Sequence, residues 1–141
     1  MSGAVARQVY EIEHDIDPKQ AILKDLAPYL DDIRIGGPFV LVGVYTREGE
    51  KRLKGSGIIL PGRTGEEDRY QGITGLVVKM GPGAYQSEVS RRWFGDKPVE
   101  LGDWVMFDVK HGRALLLGER TCRIIQDTYL DAVLQRPDMA M

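Results

Sequence analysis

Few residues of this chain have the types and spacing that chemistry needs. It holds two histidines, His14 and His111, and a single cysteine, Cys122. Histidines ligate zinc or shuttle protons, but His14 stands in an acidic stretch with Glu11, Glu13 and Asp15, and His111 sits in a Lys110-His111-Gly112 turn. Neither has a second ligand at metal spacing. Cys122 lies in an apolar run, where a buried inert thiol is expected over a reactive one. Gly81-Pro82-Gly83 lacks the Gly-Lys-Ser/Thr ending of a phosphate loop, and its proline removes an amide that a phosphate would use. Glu66 and Glu67 lie in a long polar segment, where no rigid shell would drive their pKa values apart as an acid-base pair requires. The pattern points to no enzyme, no cofactor and no metal.

Arg91-Arg92-Trp93 puts two cations beside an aromatic ring. It reads as a solvated loop with Trp93 folded back for burial, or as a platform on which bases stack. The whole-chain charge argues against nucleic acid as a partner. Lysine and arginine total 19 against 21 acidic residues, a formal net charge of -2, whereas a domain that neutralises phosphates carries a positive excess. No apolar run approaches the length of about 18 residues that a membrane helix needs. Residues 1–8 lack the apolar stretch of a secretory signal. A lone cysteine fits a reducing cytoplasm. With 28% charged and 43% hydrophobic residues in 141, the chain has the composition of one globular domain.

The elements that would position these residues are marked by glycine. Of 17 glycines, 16 lie between Gly36 and Gly118, the pattern of short strands broken by turns in a sandwich or small barrel. Ahead of that region, Asp17-Pro18-Lys19-Gln20 predicts a helix start: an Asp cap, proline at the first position and Gln three residues after the cap. Ile22, Leu23 and Leu26 are expected on one face, and Pro28 is expected to end the helix after about nine residues. Such a short helix is marginal alone, so it must dock on its own barrel or on a neighbouring subunit. Strands are expected at 39–45, 73–79, 104–109, 114–117, 121–125 and 129–134. The near-continuous apolar run at 39–45 suits a strand buried on both faces or lying in a subunit contact.

Between the first two strands runs a segment, Arg47 to Gln71, of 25 residues with five glycines, charges of both signs and one apolar island, Ile58-Ile59-Leu60. Loops longer than about 12 to 15 residues are uncommon in compact domains and are usually functional or disordered. An apolar trio inside such a loop needs a partner.

Taken in order, IRIGGPFVLVGVY, KGSGIIL, GLVVKMGPG, LGDWVMFD and CRIIQDTYLDAVL resemble the strands and mobile loop of the GroES co-chaperonin family, from about Ile33 to Leu134. The resemblance implies an all-β fold: a GroES-like, partly open β-barrel at 33–134 with a long mobile loop, a short N-terminal helical extension at 1–32 and a tail at 135–141. It implies a homo-oligomeric ring, seven-membered in the family, that caps a host or viral chaperonin ring. Ser56, Gly57, Ile58, Ile59 and Leu60 would then be the chaperonin anchor. The first strand, with Phe39 and Leu41, would meet the neighbour's last, with Tyr129, Leu130 and Val133.

Burying three such side chains is worth about 1.5 to 3 kcal/mol each, and ordering roughly eight loop residues costs about 1 to 2 kcal/mol apiece. A single loop therefore grips weakly, and a ring of them gains avidity of about 10² to 10⁴ while staying releasable. The stretch Tyr85 to Pro98 stands where the family forms a roof hairpin, and the extensions, the N-terminal 32 residues and the Pro137-Asp138-Met139 tail, look like those of divergent GroES-like proteins of tailed bacteriophages. Two readings follow. One is a cytoplasmic lid assisting folding of a viral capsid protein; the other is a capsid cement or decoration protein of the virion, whose partner is the major capsid protein and whose extra helix clamps subunits. Removing residues 1–32 is expected to leave a soluble barrel with altered assembly.

Overall fold

The computed structural model describes residues 17–45 and 74–139. Helix α1 (Pro18–Leu30) begins as its cap sequence dictates, with the Asp17 carboxylate accepting from the Gln20 amide at 3.1 Å and proline at the first position. It does not stop before Pro28 but carries it in the last turn. Pro28 and Lys24, the residue whose carbonyl the missing amide leaves without its helical partner, are both exposed there. The buried face is Pro18, Ala21, Ile22 and Leu26. Leu23, expected on that face, is exposed, because one residue turns the helix by about 100°.

The strands are β1 (Phe39–Val44), β2 (Thr74–Met80), β3 (Trp104–Phe107), β4 (Arg113–Leu117), β5 (Arg120–Gln126) and β6 (Leu130–Leu134), within one or two residues of the expected bounds. A four-residue helix, α2 (Glu88–Arg91), lies between β2 and β3. The strands make one antiparallel sheet in the order β4-β5-β1-β2-β3-β6. β4 and β5 are joined by Gly118-Glu119, with Gly118 at φ +66°, the left-handed conformation that a two-residue hairpin turn demands. The sheet does not close into a barrel: β4 and β6 are its edges, and neither pairs with a further strand among the described residues.

β1 is hydrogen-bonded to β5 on one side and β2 on the other, so its backbone has no free edge to offer a neighbour's last strand. The apolar run of β1 is spent instead on burial at both faces of its own sheet. Val40 and Val42 point into one cluster with Val77, Val105, Phe107, Ile125 and Leu130, covered by Ala84, Tyr85 and Val99 from the β2–β3 connection. Leu41 points into the other, with Leu76, Val78, Trp104 and Cys122, covered by Ile22 and Leu26 of α1. A bulge keeps the two faces in phase: Leu41 is opposite Lys79 and Val42 opposite Val77, leaving Val78 as the extra residue.

Helix α1 thus docks on its own sheet, and glycine makes the close approach possible. A Cβ on Gly43 would stand 3.0 Å from Leu26 Cδ1 and closer still to Ile22. At the other end of the helix, the Lys79 ammonium reaches across from β2 to donate to the carbonyls of Leu30 and Ile33, the latter at 2.6 Å. A cation there completes carbonyls that a helix C-terminus leaves without partners.

Candidate partner-binding site

The chain leaves the described structure at Tyr45 and re-enters at Thr74, and the two ends meet. The Tyr45 amide donates to the Thr74 carbonyl at 2.9 Å, one step beyond the Val44–Gly75 pair that ends the β1–β2 ladder. The Tyr45 ring is buried in the helix-side cluster, edge-on to Trp104 with centroids 5.8 Å apart. On the other flank, β1 and β5 pair as far as Gly43 and Cys122, and the next carbonyl, Val44 O, accepts from the Arg120 guanidinium at 3.3 Å. The same guanidinium donates to Asp25 of α1 at 2.7 Å. The two ends, Tyr45 and Thr74, therefore lie on the two innermost strands and form a stem held from both sides. The proposed anchor, Ser56, Gly57, Ile58, Ile59 and Leu60, lies outside the described residues, as do His14, Glu66 and Glu67.

The residues expected at a subunit contact divide into two groups. Phe39, Tyr129 and Val133 are exposed, at 40%, 43% and 43%, large apolar side chains open to a neighbour. Leu41 and Leu130 have no exposed surface and fill the two clusters of their own protomer, so their side chains have nothing to present. Phe39 opens β1 opposite Gln126, and Val133 lies on the edge strand β6 opposite Val105. The Tyr129 ring stacks on His111 with centroids 4.2 Å apart.

The other chemistry-bearing residues serve structure. Burial pushes the Cys122 thiol up to about 11, with Arg120 and a backbone hydrogen bond from Leu117 acting in the opposite direction. At neutral pH it is a protonated, inert thiol. Trp93 is neither folded fully away nor free: its indole donates to the Leu130 carbonyl at 2.9 Å while the residue stays 47% exposed. Tyr85 takes φ +58°, a strained conformation for a large side chain. Asp127 holds it there, its carboxylate accepting from the Tyr85 amide at 2.8 Å and its carbonyl from the Tyr85 hydroxyl at 2.7 Å. Burial first, and the Asp127 charge second, keep that hydroxyl protonated far above the ordinary tyrosine range. Among the described residues no three of histidine, cysteine, aspartate and glutamate gather as metal ligands would. No described helix is long and apolar enough to cross a membrane.

Asp25, Lys79 and Arg120 were not singled out by the sequence. Their partners lie 46 to 95 positions away along the chain, so no local pattern marks them. Against known proteins, no family model matches the chain and no curated protein matches it at a significant level.

Proposed function

We propose that this protein is a co-chaperonin of the GroES type: a lid that grips a chaperonin ring through Ser56 to Leu60 and assists the folding of a viral capsid protein in the cytoplasm of an infected bacterium. The observation that carries the reading is the stem. A 28-residue segment with the apolar island Ile58-Ile59-Leu60 at its middle begins and ends one hydrogen bond apart, on the two central strands of a sheet with a core on each face. A rigid base under a long polar tether suits a grip that must reach a partner and let go. The GroES-like partly open barrel and the homo-oligomeric ring, seven-membered in that family, belong to the same proposal. The contacts of such a ring fall to exposed side chains such as Phe39, Tyr129 and Val133 and to the edge strands β4 and β6 rather than to the backbone of β1.

The alternative, a capsid decoration protein, uses the same loop against shell protein. One of its supports is weaker than the sequence suggests. Helix α1 spends its apolar face on its own sheet and is not left over as a clamp.

Co-sedimentation with a nucleotide-loaded bacterial chaperonin ring tests the lid. The wild-type chain is expected to pellet with the ring and Ile59→Asp to stay in the supernatant with its sheet intact by circular dichroism. A wild-type chain that fails to pellet, or a variant that pellets equally, overturns the reading.

A further inference from the structure

We infer that Arg120 is a positioning residue for the end of β1, tying helix α1 to Val44 beside the Tyr45–Thr74 junction. The inference rests on the partner-binding reading of the segment only for its functional consequence; the linkage itself is structural. The β1–β5 ladder supplies backbone partners as far as Gly43 and Cys122. One residue on, where the chain heads for the loop, the rung is a side chain: Arg120 donates to Val44 O.

That guanidinium is held in place from the helix. Its contact with Asp25 is 2.7 Å, with the Arg120 side chain 9% exposed and the Asp25 side chain 48% exposed. A planar guanidinium can serve a carboxylate and a carbonyl at once, which a lysine ammonium, compact and strongly hydrated, does less well. Two more contacts run from the same helix to the same place. Ile22 and Leu26 seat on Gly43, the residue before Val44, and both lie in the cluster that buries Tyr45. Helix α1 therefore bears on three consecutive residues of the stem: Gly43 by packing, Val44 through Arg120, and Tyr45 through the shared core.

The consequence is a division of labour. The sheet fixes where Tyr45 and Thr74 meet, and the helix fixes how firmly that junction is held. With the Asp25–Arg120–Val44 linkage intact, the Tyr45–Thr74 junction is a firm base, and a partner captured beyond it need not order that junction as well. With it broken, the stem frays by a rung, and capture must also re-form that rung.

Amide hydrogen exchange on the full chain, followed by NMR, tests this without any partner. The Tyr45 amide, bonded to Thr74 O, reports on the stem. The Val77 amide, bonded to Asp103 O at 2.9 Å, is the control within the same sheet. Arg120→Ala is expected to speed exchange at Tyr45 by about tenfold and at Val77 by less than twofold. Asp25→Asn, at a half-exposed position that tolerates change, is expected to speed Tyr45 by about threefold. Arg120→Lys is expected to fall between wild type and Arg120→Ala, and affinity for the chaperonin ring to follow the same order. Unchanged Tyr45 exchange in both Arg120→Ala and Asp25→Asn, or equal acceleration at Tyr45 and Val77, overturns the assignment. Failure of the wild-type chain to bind the chaperonin overturns the function proposed above and leaves the exchange result to decide this one.

Discussion

Ile22 Cγ2 lies 2.6 Å from the point where a Cβ on Gly43 would stand. Helix and strand are closer than any side chain at position 43 allows, so the seat of α1 is cut to glycine. Gly43→Ala is expected to lower stability by about 1 to 3 kcal/mol, the usual cost of overpacking a filled core. Pairing it with Ile22→Val should recover part of that loss, since the shorter side chain gives back space. Urea unfolding of the two single variants and the double variant measures the coupling, and strict additivity would show that the contact is relaxed by other means.

Removing the helix should be more damaging than removing the residues before it. Deletion of 1–16 is expected to leave a folded, soluble chain. Deletion of 1–32 uncovers Leu41, Leu76, Trp104 and Cys122 together and is expected to give an aggregating or molten product, read by dye binding and near-ultraviolet dichroism. The soluble barrel with altered assembly that the sequence led one to expect from that deletion treats α1 as an appendage, whereas its Ile22 and Leu26 are part of one core.

Lys79 joins β2 to the end of α1. Lys79→Met keeps much of the aliphatic stem but leaves the carbonyls of Leu30 and Ile33 without their cation. A loss of about 1.5 to 3 kcal/mol is expected for bonds of this charged kind, with faster exchange confined to the last turn of the helix.

Cys122 gives the alkaline limit of stability a specific contributor. Its folded pKa is raised to about 11 from 9.0, so above the unfolded value the unfolded chain releases a proton that the folded chain retains. That contribution is fully present below pH 9.0 and is lost as pH rises to about 11. Tyr85, raised by burial and by Asp127, adds a loss that begins higher, above its unfolded value of about 10. Stability measured against pH should fall across both ranges in the wild type. Cys122→Ala should flatten the first part of the fall and Tyr85→Phe the second.

Local order was legible in the sequence and long-range order was not. The Asp17 cap, the Gly118-Glu119 turn and the six strands follow from residue types whose effects act within a few positions. Pro28 misled because proline's cost depends on whether the carbonyl it strands faces water, which is a property of the docked helix. The run at 39–45 suited either burial on both faces or a subunit contact, and periodicity carries no information about strand order, so the central position of β1 between β5 and β2 could not be read. The linkage of Asp25, Arg120 and Val44 was invisible for the same reason. It exists only because the sheet brings the first and fifth strands together under the helix.

The meeting of Tyr45 and Thr74 also bears on how this molecule can change over generations. Because the stem closes on itself, lengthening the chain between those two residues costs only about 0.6 kcal/mol for each doubling, and no strand must shift register to absorb it. Insertions, deletions and wholesale rewriting of the intervening residues are thus open to drift or to grafting while the scaffold beneath is inherited unchanged.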